Sequence, residues 1–116
     1  MQIKVLKSKI HRAVVTDANL DYVGSISIDE NLMIAANLTE YEKVHVLNLS
    51  SGSRIETYAI KALKDSNEIC INGAAAHLMN KSDMIIIVSY CQINQNIAKN
   101  HLPIIVHVNN NNEIIS

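Results

Sequence analysis

Aromatic residues are nearly absent from this chain of 116 residues, which contains four Tyr and neither Phe nor Trp. The core must therefore be built from Ile, Val, Leu, Ala and Met, and β-branched residues favour strands. Glycine is also scarce, with three copies, so the position of each one calls for a physical reason. Hydrophobic residues make up 48% of the chain and charged residues 18%, a composition that excludes a disordered chain and fits one globular domain.

Cysteine, net charge and long apolar runs are also limited, and each shortage excludes a class of protein. Cys70 and Cys91 are too far apart for a Cys-x-x-Cys site and too few for a disulfide scaffold, which favours a reducing, cytoplasmic setting. A net charge of -1 gives no electrostatic footprint for nucleic acid or an anionic membrane. The longest apolar run, residues 84–88, is far below the roughly 20 residues of a spanning helix. The histidines lack metal-ligand spacing, so we expect no metal.

Most of the chain predicts short β-strands separated by polar turns. A turn is expected at residues 17–19 and a helical turn over residues 74–79. A capping box formed by Ser27 and Glu30, with Asp29 as a second candidate cap, predicts one short helix. Together these elements predict a mainly β fold, a compact β-barrel with one or two short helices. Strands are expected within residues 1–16, 41–63, 68–71, 84–90 and 103–108.

The dipeptide Gly24-Ser25 precedes the predicted helix and can carry chemistry. A serine hydroxyl can attack the carbonyl of the residue before it, and glycine leaves that carbonyl unhindered. Elimination from the resulting ester cuts the chain, and hydrolysis of the dehydroalanine left behind gives a pyruvoyl group and ammonia. A pyruvoyl carbonyl forms a Schiff base with an amine and acts as an electron sink. Gly-Ser pairs are more often turns, so the pair alone does not predict cleavage.

Several further motifs accompany this dipeptide. In order and spacing they resemble the aspartate 1-decarboxylase family over roughly residues 1–90, and the stretch after Cys91 matches it loosely. The motifs are Lys9-Ile10-His11-Arg12, Tyr22-Val23-Gly24-Ser25, Ile28-Asp29, Arg54-Ile55-Glu56-Thr57-Tyr58-Ala59-Ile60 and Asn72-Gly73-Ala74-Ala75-Ala76-His77.

The resemblance implies a fold, a cofactor and a reaction. The fold is a small double-psi β-barrel that assembles into a cytoplasmic homotetramer. Cleavage between Gly24 and Ser25 gives chains of residues 1–24 and 25–116, with a covalent pyruvoyl group derived from Ser25. The reaction is decarboxylation of L-aspartate to β-alanine and CO2, for pantothenate and coenzyme A synthesis. Whether cleavage is spontaneous or assisted by a maturation factor stays open.

The resemblance also implies roles for individual residues. Ser25 becomes the Schiff-base group, and Tyr58 donates the proton that quenches the carbanion. Thr57 donates a hydrogen bond to the oxyanion of cleavage, and Asn72 orients the carbonyl or the substrate. Arg54 holds the substrate's side-chain carboxylate bidentately, since pinning the leaving carboxylate would stabilise the ground state.

The remaining site residues are a second cation and a run of small residues. Lys9 is the second candidate cation for the substrate. Gly73, Ala74 and Ala75 are small enough to bring the backbone close to a ligand. Tyr22 and His11 belong to the same motifs, but the sequence assigns neither of them a proton-transfer role.

Two alternative interpretations stay open at this point. One is a pyruvoyl decarboxylase that acts on another amino acid. The other is a small β-barrel that binds a partner without catalysis, because a fold alone does not fix a function.

Overall fold

The computed structural model describes residues 1–21 and 24–116, and most of them lie in β-strands. The expected class, mainly β with one or two short helices, is confirmed. No helix within the described residues is long and apolar enough to cross a membrane. The helices are α1 (Glu30–Ala35), α2 (Gln95–Ala98) and one 3-10 helix (Gly73–His77). The strands are β1 (Gln2–Val14), β2 (Asp17–Asn19), β3 (Ser25–Asp29), β4 (Lys43–Asn48), β5 (Arg54–Ala62), β6 (Ile69–Asn72), β7 (Met84–Asn94) and β8 (Ile104–His107).

The strands form one mixed sheet in the order β2-β6-β3-β5-β4-β7-β1-β8. In a flat sheet the six spacings between β2 and β1 would separate them by about 29 Å. Only Val15 and Thr16 join these two strands along the chain, and three Cα steps reach about 11 Å. The backbone N–H of Val15 donates to Asp83 at 2.9 Å, and that of Thr16 donates to Ile69 at 2.8 Å. The sheet therefore curls on itself, in agreement with the expected small β-barrel.

Branched aliphatic side chains fill the inside of this barrel, as the shortage of aromatics requires. They occupy alternate positions of the central strands, which is the period of a sheet with one face on the core. Leu32 and Met33 of α1 add to the same cluster. The strand residues that are no more than 1% exposed include Ile10, Ile26, Ile28, Val44, Val46, Ile69, Ile71, Ile85 and Ile87.

The prediction of a turn at residues 17–19 is wrong. Asp17–Asn19 form β2, which pairs in parallel with Cys70, Ile71 and Asn72 of β6. The polar sequence is typical of a turn, but β2 lies at the edge of the sheet order, and its pairing with a distant strand leaves no local signal.

The helix α1 begins where the second of the two candidate caps predicts. The carboxylate of Asp29 accepts a hydrogen bond from the backbone N–H of Asn31 at 2.8 Å. Ser27, the first candidate, lies inside β3 and caps no helix. Its position two residues before the cap places it on the sheet, where its hydroxyl serves the site described next.

Candidate active site

Ser25 begins β3 in a backbone conformation that its residue type rarely adopts. Its φ is 117° and that of Gly24 is 22°, both in the region that disfavours residues with a Cβ atom. A Cβ added at Gly24 would meet no atom within 4 Å, so backbone conformation, and not crowding, is the reason for glycine there. Ser25 is 2% exposed. Backbone strain is thus located on the two sides of one peptide bond, in a site that excludes water from the hydroxyl.

Asn72 lies opposite Ser25 in the antiparallel pairing of β6 with β3. Its side-chain amide donates hydrogen bonds to the hydroxyls of Ser25 and Ser27, each at 3.0 Å. Asn72 is itself 2% exposed, so these bonds are shielded from water. A donor aimed at a hydroxyl oxygen stabilises the negative charge that develops when this oxygen loses its proton. The pairing therefore provides an activated hydroxyl, whereas the sequence suggested a contact of Asn72 with a carbonyl or the substrate.

The thiol of Cys70 forms a hydrogen bond with the oxygen of the Asn72 side-chain amide. It donates to the Asn72 side-chain oxygen at 3.3 Å, which turns the amide nitrogen toward the two hydroxyls. Burial, followed by the nearby carboxylates of Asp17 and Glu68, raises the pKa of Cys70. The thiol therefore keeps its proton at neutral pH and remains a donor.

The small residues Gly73, Ala74 and Ala75 follow Asn72 directly and begin the 3-10 helix. Gly73 is buried with a φ of 67°, the left-handed conformation that glycine adopts without strain. Ala75 is half-buried and Ala74 is exposed. The chain thus turns sharply from β6 into a short helix beside Ser25, with no bulky side chain at the turn.

Tyr58 lies on β5 at the end of β3 that carries Ser25. β5 runs parallel to β3 with Ala59 beside Ile26, and both of these residues face the core. Since side chains alternate along a strand, Tyr58 and Ser25 share the opposite face. Thr57, which pairs with Val44, faces inward.

The described contacts of Thr57 include no hydrogen bond to Ser25 or Asn72. Tyr22 and Val23 of the same predicted motif lie outside the described residues. The role of Thr57 as the donor to the oxyanion therefore stays a prediction.

Arg54 lies at the other end of β5, four positions before Tyr58 and thus about 13 Å along the strand. Its guanidinium donates to the Tyr90 hydroxyl at 3.0 Å and lies 3.4 Å from Nδ1 of His45. The His45 ring in turn lies 3.2 Å from the carboxylate of Glu56. Nearby is an open cavity of about 490 Å³, and its lining residues are Lys4, Lys43, His45, Tyr90, Cys91 and Gln92.

Lys9 lies on β1, where it pairs with Val88 and Ile105. Three strands separate β1 from β3 in the sheet order. Next to it, the His11 ring meets the ring of His107 edge to face, with centroids 5.6 Å apart. Burial, followed by the positive charges of Lys9 and its neighbours, lowers the pKa of His11. Within one chain, the two candidate cations Lys9 and Arg54 are therefore not brought together with Ser25.

Comparison of the sequence with known proteins identifies the family of the chain that carries this strained Ser25. The family model of aspartate decarboxylase matches residues 1–115. The chain belongs to this family. The aspartate 1-decarboxylase of Campylobacter fetus subsp. fetus is 59% identical over 114 residues, which cover 98% of each chain. That of Caldicellulosiruptor saccharolyticus is 56% identical over 115 residues, 99% of this chain and 90% of its own, and that of Clostridium kluyveri is 51% identical over 114 residues, 98% and 90%.

The match to the aspartate decarboxylase family corrects the expectation of a loosely related tail after Cys91. The match extends to residue 115. The structure shows why the tail belongs to the fold, because one of its side chains is held by the rest of the barrel. The side chain of Asn112 is buried and bonds both backbone groups of Val14, accepting at 2.7 Å and donating at 2.9 Å, and it donates to the Asn67 carbonyl at 3.0 Å. The tail is thus part of the barrel wall beside the end of β1.

Sequence reasoning missed Ser27 and Cys70 as members of the candidate site around Ser25. Cys70 could have been found, because it precedes Asn72 by two positions on a strand and therefore shares its face. Ser27 could not, since its contact with Asn72 depends on the pairing of β3 with β6, which are far apart in the sequence.

Proposed function

We propose that this protein converts L-aspartate to β-alanine and CO2, with a pyruvoyl group that forms from Ser25 when the chain is cut between Gly24 and Ser25. The observation that carries the proposal is the buried, strained Ser25 with an amide donor on its hydroxyl, in a chain of the aspartate decarboxylase family. When formed, the group supplies a carbonyl that takes up an amine and withdraws electrons from the bond to the leaving carboxylate.

The residues around Ser25 fit the cleavage step. The Ser25 oxygen attacks the carbonyl carbon of Gly24 and its proton passes to the departing peptide nitrogen, which gives an ester. Elimination of the α-proton of residue 25 and of the Gly24 carboxylate leaves a dehydroalanine, and water converts it to the pyruvoyl group with release of ammonia. The amide of Asn72 stabilises charge on the attacking oxygen. Thr57 is the proposed donor to the oxyanion on Gly24. The products are chains of residues 1–24 and 25–116, and relief of strain at Ser25 favours the step.

The residues for the substrate lie on more than one part of the barrel. Arg54 presents a planar pair of donors that suits the side-chain carboxylate of aspartate, with Lys9 as a second cation. Tyr58, on the face of Ser25, donates the proton that replaces CO2. Gly73, Ala74 and Ala75 leave room for the substrate beside the backbone.

The distances within one chain support an assembly with sites between copies. Arg54 lies about 13 Å from Tyr58 along β5, and three strands separate Lys9 from β3 in the sheet order. A second copy that brings its Arg54 or Lys9 to Ser25 would complete the site. We propose the homotetramer of the family, acting in the cytoplasm in the supply of β-alanine for pantothenate. Incubation of the precursor with and without cell extract separates a spontaneous cleavage from an assisted one.

Intact mass and product analysis test this function. We expect purified protein to give two chains after incubation, with a carbonyl on the larger one that borohydride and an amine trap together. The Ser25→Ala variant should remain one chain and release no CO2. Aspartate should yield β-alanine, whereas release of CO2 only from glutamate or histidine would identify another decarboxylase. One uncut, untrappable wild-type chain would overturn the proposal and leave a binding module.

A further inference from the structure

Tyr41 adopts a backbone conformation that its residue type does not favour. Its φ is 73°, where a bulky side chain crowds its own backbone. Asn37 and Asn67 have similar values, and asparagine tolerates them well. The Tyr41 side chain is 72% exposed, so burial of the ring does not offset the cost. A costly conformation without a gain in packing indicates a function that requires it.

Hydrogen bonds on both sides hold Tyr41 in this conformation. Its backbone N–H donates to the Ala59 carbonyl at 2.7 Å, and the N–H of Ala59 donates to the Glu42 carbonyl at 2.9 Å. The Glu42 carboxylate accepts from the Lys7 ammonium at 2.9 Å, which ties the loop to β1 as well. These bonds fix Tyr41 against the residue that follows Tyr58 on β5.

The ring of Tyr41 lies beside the ring of Tyr58. The two centroids are 6.5 Å apart and the planes are tilted by 44°, a separation at which aromatic pairs attract each other. Tyr58 shares the face of Ser25, as the pairing of β5 with β3 shows. A phenol that delivers a proton must stay within hydrogen-bond reach of the accepting atom, and a neighbouring ring limits the orientations that it can take.

We propose that Tyr41 is a positioning residue for decarboxylation, whose ring holds the Tyr58 phenol in the orientation that delivers a proton at position 25. The inference rests on the proposed function of Tyr58 as the proton donor. It assigns the strained loop before β4 to the second half of the reaction, the protonation, and gives it no part in cleavage of the chain.

The variant Tyr41→Asn separates this role from a structural one, because the two predict different outcomes. Asparagine relaxes the backbone, which offsets the loss of the ring contact, so the variant should melt within about 4 °C of the wild type. Without the ring, kcat for aspartate should nevertheless fall about tenfold. This is the change in rate expected if the free energy of one aromatic pair is lost from the transition state. KM and the rate of self-cleavage should stay unchanged. A Tyr41→Phe variant keeps the ring and should keep kcat.

Ser82 provides the matched control, since it is also exposed and has a φ of 78°. Ser82→Asn relaxes a similar strain outside the strands that carry the site, so it should raise the melting temperature and leave kcat unchanged. In a Tyr58→Phe background, Tyr41→Asn should cause no further loss of kcat. An unchanged kcat in Tyr41→Asn would overturn the proposal. So would a loss of kcat on Tyr41→Asn that is as large in the Tyr58→Phe background as in the wild type.

NMR of labelled tyrosine rings tests the contact without relying on activity. Tyr41→Asn should increase the motion of the Tyr58 ring, whereas Ser82→Asn should leave its signals as they are. Unchanged Tyr58 signals in Tyr41→Asn would refute the positioning role. A wild type that forms no β-alanine would instead refute the proposed function, so the two failures are distinguishable.

Discussion

At the scale of single residues, the site combines backbone strain with a small buried network. Ser25 is held at a φ of 117° while Asn72 donates to its hydroxyl, and Cys70 fixes the orientation of that amide. Each of these groups is commonplace alone. Their combination on one face of β3 and β6 places an amide donor on a hydroxyl that is both buried and attached to a strained backbone.

Asn72→Ala should slow self-cleavage by about a hundredfold, because one donor to a developing oxyanion stabilises the transition state by about 3 kcal/mol. The measurement is a time course on a denaturing gel, with circular dichroism to confirm folding. Ser27→Ala is the matched control, since it removes the other acceptor of the same amide and keeps the bond to Ser25. Equal cleavage rates in wild type and Asn72→Ala would show that the amide has no catalytic effect.

Arg54→Ala should cleave at the normal rate but bind aspartate poorly. A hydrogen bond to a charged group contributes about 1.5 to 3 kcal/mol, so we expect KM to rise at least tenfold. Lys61→Ala, a change of an exposed cation near the far end of the same strand, is the control and should leave KM unaltered. A normal KM in Arg54→Ala would assign the substrate carboxylate to another cation.

At the scale of strands and loops, an element could be predicted from the sequence when the signal for it lies in neighbouring residues. Branched aliphatic residues at alternate positions predicted β1 and β4 to β8 in outline, and Asp29 predicted the start of α1, but no strand was expected where β3 lies. β2 was missed because its pairing partner β6 is about fifty residues away. The same holds for the site: motifs predicted Ser25 and Asn72, and Cys70 lies two positions before Asn72 on the same strand, but only the register of β3 with β6 brings Ser27 to them.

The loop before β4 should make stability depend on pH through Glu42. Burial raises the pKa of this carboxyl, but hydrogen bonds from Ser89, the backbone of Thr39 and Lys7 outweigh burial and lower it below the ordinary 4.5. The carboxylate therefore stabilises the fold above pH 4.5, and this contribution is lost as the pH falls through the lowered value.

Glu42→Gln should melt earlier than the wild type at neutral pH and show a smaller loss of melting temperature on acidification. Melting curves between about pH 3 and 7 provide the test. Glu30→Gln is the control, because Glu30 makes one exposed ion pair at 3.8 Å. Parallel curves for wild type and Glu42→Gln would contradict the role of the carboxylate.

At the scale of the whole molecule, the strand order separates the groups that the reaction needs. Within the sheet, β5, β4 and β7 lie between β3 and β1, the strand that carries Lys9. Arg54 projects at the other end of β5. One barrel therefore presents the two halves of a site on different parts of its surface.

Mixed assemblies test whether copies share a site. Ser25→Ala chains lack the carbonyl and Arg54→Ala chains lack the cation. Each variant, assayed by itself at a low concentration of aspartate, should therefore be inactive. Co-expressed, they should regain part of the wild-type activity, because some sites then combine Ser25 of one chain with Arg54 of another. Activity that stays at the sum of the two separate variants would place both residues of each site in one chain.

The position of the proposed cut has a consequence for folding. Residues 1–24 contain β1 and β2, and β1 lies between β7 and β8 in the sheet. After cleavage, two of the eight strands belong to a separate chain that only noncovalent contacts retain. The precursor folds in a unimolecular reaction, but the mature protein, once denatured, must reassemble from two chains at a rate that depends on concentration. Efficient folding therefore has to precede cleavage, because the cleaved chains can no longer fold in a unimolecular reaction.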